Sequence, residues 1–199
     1  IRDSVFEANV ASLPDGGLGG AVSIQGSAGS DAVIANATFT GNRGVKGGAL
    51  HCSRCVPLEL RDASFTANSA HMLGGALHIT ASLPYLARLA LTSNAAFAGG
   101  GAYLDATVPR SASELSRSGV RLGLSNSHVS GNSAGSRGGG LYVAFCKSMA
   151  LVAVELRSNF AFESGGGMWI SGTEVEMERL DVHSCRSSLL GGGIGIEAS

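Results

Sequence analysis

A block of the form glycine-glycine-small-apolar-any-apolar occurs seven times along the chain, and this repetition restricts the fold more than any other feature. It begins as Gly19-Gly20-Ala21-Val22-Ser23-Ile24, Gly47-Gly48-Ala49-Leu50-His51-Cys52 and Gly74-Gly75-Ala76-Leu77-His78-Ile79. It continues as Gly99-Gly100-Gly101-Ala102-Tyr103-Leu104, Gly138-Gly139-Gly140-Leu141-Tyr142-Val143, Gly165-Gly166-Gly167-Met168-Trp169-Ile170 and Gly191-Gly192-Gly193-Ile194-Gly195-Ile196. The first glycines are spaced by 28, 27, 25, 39, 27 and 26 residues. A second block, apolar-any-any-Asn, precedes each: Phe6 to Asn9, Phe39 to Asn42, Phe65 to Asn68, Leu91 to Asn94, Val129 to Asn132 and Leu156 to Asn159. In the seventh unit, Val182 to Cys185, cysteine replaces asparagine. Two motifs locked in phase define one structural unit.

Apolar residues between the motifs alternate with period two, as in Val152-Ala153-Val154-Glu155-Leu156. Each unit therefore holds two or three short strands, and helical solenoids are disfavoured. A strand, a turn and a return every 25 to 28 residues describe one coil of a parallel β-helix, with coils about 4.8 Å apart and seven of them about 34 Å long. The 30 glycines among 199 residues serve that repeated backbone geometry. The expected class is all-β: a right-handed single-stranded parallel β-helix of about seven coils, forming one domain over residues 1–199.

Equivalent residues of successive coils should stand above one another. Val22, Leu50, Leu77, Ala102, Leu141, Met168 and Ile194 form one expected inward column. Ile24, Cys52, Ile79, Leu104, Val143, Ile170 and Ile196 form a second, and the apolar residues that open the Asn blocks form a third. Asn9, Asn42, Asn68, Asn94, Asn132 and Asn159 are expected to stack as a structural amide ladder that satisfies turn amides.

Phe39-Thr40-Gly41-Asn42 with Gly47-Gly48-Ala49-Leu50, and Phe65-Thr66-Ala67-Asn68 with Gly74-Gly75-Ala76-Leu77, closely resemble the repeats of the chlamydial polymorphic outer membrane proteins and related repeat proteins. The resemblance implies a pectin-lyase-like β-helix, carried by a large surface or secreted protein and associated with adhesion. The chain departs from the pattern in losing Phe after the third coil, in Gly for Ala after the third, and in Cys185 for Asn. No outer-membrane barrel segment is present in the sequence.

Between the two inward columns of the glycine strand, the outward position reads Ser23, His51, His78, Tyr103, Tyr142, Trp169, Gly195. With the Ala21, Ala49, Ala76, Gly101 column beside it, this predicts a flat face carrying a stripe of rings. Two readings stand: the rings stack on each other or lie under a neighbouring layer, or His51, His78, Tyr103, Tyr142 and Trp169 bind a protein or glycan. His51 and His78 sit side by side, but no third ligand joins them and the calcium-binding nonapeptide of other β-helices is absent, so no metal site is expected. No cofactor is implied.

The strand before the Asn places His128, Glu155 and Asp181 in successive coils, with Arg157 and His183 two positions on. Two carboxylates about 5 Å apart are the material of glycoside cleavage, so a polysaccharide lyase or glycoside hydrolase of pectin-lyase-like fold is the alternative function. The bland reading is a surface column of mixed charge, and fold likeness does not transfer activity. Cys52-Ser53-Arg54-Cys55 offers a local disulfide in an oxidising compartment. The 39-residue step marks a Ser-rich inserted loop over 105–121.

A net charge of −1 with scattered Lys and Arg argues against nucleic acid, and no apolar run is long enough to span a membrane as a helix. Both ends stop inside a coil, so the chain is expected to be a fragment of a longer protein, with flanking sequence or other subunits covering the ends. The expected function is non-enzymatic: a structural or adhesive extracellular or cell-surface module. Its expected partners are other domains or subunits of a larger surface assembly, with glycan as a further candidate.

Overall fold

The computed structural model describes residues 1–12, 16–26, 31–82, 84–105, 123–146 and 149–197. It is the parallel β-helix that the repeat predicts, and every strand pairing is parallel. Seven layers of backbone are separated by six turns, each layer contributing one strand to each of two seven-stranded sheets. Beyond Asp105, the predicted inserted loop lies outside the described residues.

The long-strand sheet stacks Arg2–Glu7, Ala32–Thr40, Leu58–Thr66, Pro84–Thr92, Gly123–Ser130, Met149–Arg157 and Val175–His183. A middle sheet of six stacks Arg43–Lys46, Ser69–Leu73, Ala95–Ala96, Ser133–Ala134, Phe160–Ala161 and Arg186–Ser187. The first layer joins this sheet through single bridges from Val10 to Arg43 and from Leu18 to Lys46. The glycine-strand sheet stacks Val22–Gln25, Leu50–Ser53, Leu77–Thr80, Ala102–Asp105, Leu141–Ala144, Met168–Ser171 and Ile194–Glu197.

Single residues in the left-handed region turn the coil, and they too form columns. The residue before each Asn or Cys is Ala8, Gly41, Ala67, Ser93, Gly131, Ser158 or Ser184, with φ from 52° to 64°. Its N–H still bonds to the next layer, as in Ala67 to Thr66's counterpart Thr92 at 3.0 Å, so the corner interrupts no ladder. A second corner bends each long strand at Asp3, Asn36, Asp62, Arg88, Asn126, Ala153 or Arg179. The first glycine of each block makes a third corner, with φ between 60° and 69°.

The glycine pair is a steric demand. A Cβ on Gly74 would lie 1.9 Å from the Leu77 carbonyl oxygen, and one on Gly75 would lie 2.0 Å from the Gly100 oxygen of the next layer. The small residue that follows points inward, which corrects the expected flat outer face. Ala49 and Ala76 are fully buried, and a Cβ on Gly101 would meet the Asn132 side chain at 3.3 Å. The left-handed first glycine rotates the chain so that this position closes over the Asn column.

The three inward columns fall in the register read from the alignment. Leu50, Leu77, Leu141 and Met168 are fully buried, as are Phe39, Phe65, Val129 and Leu156. Phe6, Phe39 and Phe65 stack with centroids 4.7 and 4.6 Å apart. Burial loosens in the outermost layers, where Ile196 is exposed.

The Asn side chains form a continuous chain of amides. Asn68 Oδ1 accepts from Asn42 N–H and Asn42 Nδ2 at 2.9 Å each, while Asn68 Nδ2 donates to Asn94 Oδ1 and to Phe39 O at 3.0 Å each. Asn94 and Asn132 repeat the pattern, and Asn9 and Asn159 form its ends. A buried amide thereby uses both donors and both acceptor sites. At the seventh layer Asn159 Nδ2 reaches only Cys185 Sγ, at 3.8 Å.

Two stability contrasts follow. Gly75→Ala should cost about 3 kcal/mol or more, whereas Gly41→Ala, whose Cβ would meet nothing within 4 Å, should cost about 1 kcal/mol. Asn94→Leu should cost about 3 kcal/mol by stranding the Asn68 amides and Phe65 O, while Cys185→Asn should gain about 1 kcal/mol by extending the ladder. Urea-unfolding midpoints of the four variants check both contrasts.

Candidate functional site

Ser23, His51, His78, Tyr103, Tyr142, Trp169 and Gly195 fall into one column of the glycine-strand sheet, each paired with its neighbour in the next layer. The His51 and His78 rings stack at 4.9 Å, His78 and Tyr103 lie tilted at 5.5 Å, and Tyr103 and Tyr142 stack at 4.6 Å. The column is less open than a flat face would be. His51, His78 and Trp169 are about 5% exposed, whereas Tyr103 and Tyr142 are half-buried. Rings stacked one per layer shield each other's faces and leave their edges outward.

The two histidines make a specific pair. His51 Nδ1 lies 2.8 Å from His78 Nδ1, so one ring donates its N–H and the other accepts with its lone pair. A second proton would put two donors face to face. His78 is pushed down to about 3 by burial, then by the neighbouring His51 and Lys46 charges, and burial followed by Lys46 also lowers His51. Burial pushes the Tyr103 phenol up to about 12 and raises that of Tyr142. No group of three or more His, Cys, Asp or Glu among the described residues is arranged to hold a metal ion.

Trp169 closes the column differently. A Cβ on Gly195 would lie 2.5 Å from the indole Cε3, so glycine ends the ring series because the indole lies over it. Arg137 covers the indole, its Cζ 4.6 Å from the ring centroid, and its guanidinium reaches Glu163 at 3.4 Å and Glu197 at 3.5 Å. Trp169 Nε1 is buried without a hydrogen-bond partner. Arg137 escaped the sequence reading because it lies in the middle-strand segment, one residue ahead of the glycine block, and the repeat has no constant residue there.

The polar cluster of the long-strand sheet comes together in part. Glu155 accepts from His128 Nδ1 at 2.7 Å through one oxygen and from His183 Nε2 at 3.0 Å through the other. Asp181, one layer on, is 4.0 Å from His183 and largely exposed. His183 and then His128 hold the Glu155 carboxyl below its ordinary range. That is the opposite of the raised value a general acid needs at neutral pH. Arg157 is paired in register with His183.

Cys52 and Cys55 are joined by a disulfide and fully buried. Cys146 and Cys185 are thiols in the fifth and seventh layers. An outer ladder unread in the sequence runs along the long-strand corner: Asn36 Nδ2 donates to Asp3 at 2.6 Å, and Arg88 grips Asp62 through two bonds of 2.6 and 2.9 Å. The available signal was a polar residue three positions ahead of the Phe in an otherwise alternating strand.

The repeat model of the Chlamydia polymorphic membrane proteins matches residues 36–53. That span runs from the Asn36 corner through the Asn42 rung and the Gly47-Gly48 turn to the end of the glycine strand, so one repeat equals most of one turn. The chain carries a Pmp-type repeat within a parallel β-helix. No curated protein and no solved structure matches it. The matched unit contains the Asn rung that recurs in six layers and the glycine turn that recurs in all seven, while the rings, the charged column and the disulfide belong to individual layers.

The histidine pair makes stability pH-dependent. Above pH 6.5 neither state binds the extra proton. Between 6.5 and about 3 the unfolded chain binds it and folded His78 does not, so stability falls by about 1.4 kcal/mol per pH unit. Between pH 7 and 5 the wild type should lose about 2 kcal/mol more than a His51→Tyr/His78→Tyr variant, as read by chemical denaturation at both pH values.

Proposed function

We propose that this Pmp-type chain is a structural and adhesive module of an extracellular or cell-surface protein, and that it engages a macromolecular partner through the ring-bearing side of the solenoid. The observation that carries the reading is the unbroken column of five rings, with Tyr103 and Tyr142 presenting half-exposed edges at its centre. The neighbouring middle-strand segments add apolar surface: Phe97, Phe162 and Leu189 are 58%, 62% and 72% exposed. Apolar side chains presented layer after layer in fixed register suit a protein or glycan surface rather than a small metabolite. The family's membrane-protein repeats and the disulfide between Cys52 and Cys55 support placement outside a reducing cytosol.

A polysaccharide-cleaving role draws little support from the carboxylates. Glu155 is tied between two imidazoles, without the apolar setting that keeps a carboxylic acid protonated, and Asp181 stands in solvent one layer on.

Binding of the labelled chain to cultured epithelial cells and to a printed glycan array tests the reading. A Tyr103→Ser/Tyr142→Ser variant should bind about tenfold more weakly or worse, with unchanged circular dichroism, while Glu155→Gln should bind as the wild type does. Equal binding by the tyrosine variant, or none by the wild type, would overturn the proposal.

A further inference from the structure

A second candidate site lies on another sheet. Ahead of its corner, the outer face of the long-strand sheet carries one column through Glu59, Tyr85, Gly123 and Ala150, and a parallel one through Arg61, Ala87, Ser125 and Val152. Two cavities of about 420 and 240 Å³ open on this face and share Tyr85 and Ala87. They form one groove that crosses the strands from the second layer to the sixth, about 19 Å at the usual strand spacing. Its depth comes from the sequence: Gly123, Ser125 and Ala150 are small where flanking layers carry Tyr85 and Glu59.

The groove combines an aromatic ring with charges that nearly cancel. Arg61 bonds Glu59 at 2.6 Å and Asp62 at 3.1 Å, and Arg88 takes Asp62 in two bonds. Two guanidinium groups and two carboxylates are joined by these bonds with no net charge between them, and Asp31 adds one negative charge at that end. Such a rim offers many oriented donors and acceptors but little field to draw an ion. The floor strands are hydrogen-bonded to layers on both sides, so an extended peptide finds no edge to pair with. The geometry points to a neutral oligosaccharide as the occupant, lying along the solenoid axis. Tyr85 packs against a sugar face, and the Glu59, Arg61, Asp62 and Arg88 network meets the hydroxyl groups.

Titration calorimetry with cellohexaose, maltohexaose, xylohexaose and chitohexaose tests this, with oligogalacturonate as the anionic probe and an unstructured Val-Thr peptide as the polypeptide probe. At least one neutral hexamer should bind. Tyr85→Ala should weaken that binding about tenfold. Ser125→Arg and, independently, Val152→Arg should abolish it with unchanged thermal midpoints, and the Tyr103→Ser/Tyr142→Ser variant should retain it, which separates this groove from the ring face. Absence of binding by all four hexamers, tighter binding of oligogalacturonate or the peptide, or persistence in the folded arginine variants would overturn the assignment.

Discussion

A buried amide inside a solenoid can be satisfied only by the layer above or below it, and that constraint organises this molecule. Each Asn rung spends two donors on one neighbour and the preceding strand, and its oxygen receives two bonds from the other side. Register is thereby set to the residue: a slip by one position would leave several polar groups unpaired in the core. The aligned Phe, Leu and Val columns follow from that register, as do the stacked rings outside. The glycine pairs permit the same spacing at the turn, where backbone approaches backbone too closely for any Cβ.

Much of this was legible in the sequence because one residue type at one position served one purpose in nearly every coil. Asn at the rung, Gly-Gly at the turn and an apolar residue at each inward position announce themselves by recurrence. The corner residues do not. Asp3, Asn36, Asp62, Arg88, Asn126, Ala153 and Arg179 share a left-handed backbone but no side-chain chemistry, so alignment alone gives them no common role. Simple alternation places the Ala49 column outward, but the left-handed first glycine, with a φ of 69° at Gly47, breaks the alternation and turns it inward. Arg137 over Trp169, and the groove around Tyr85, depend on neighbours in different layers and on small residues whose effect is the space they leave.

The charges show how differently two faces of one solenoid treat titratable groups. On the ring side, burial and Lys46 keep His51 and His78 neutral. On the long-strand side, exposed His128 and half-buried His183 serve as hydrogen-bond partners to an ionised Glu155. The same residue type is a packing element in one column and a hydrogen-bond donor to a carboxylate in another, and the difference is solvent access rather than sequence context.

The Cys52–Cys55 disulfide closes a loop within a single turn. Among the described residues no disulfide joins one layer to another, so a load applied between the two ends is borne by backbone and amide hydrogen bonds layer by layer. Under tension such a rod yields by peeling a terminal coil, each detached turn releasing about 90 Å of extended chain. A solenoid built this way behaves as a serial shock absorber, lengthening in steps while the remaining layers keep their shape.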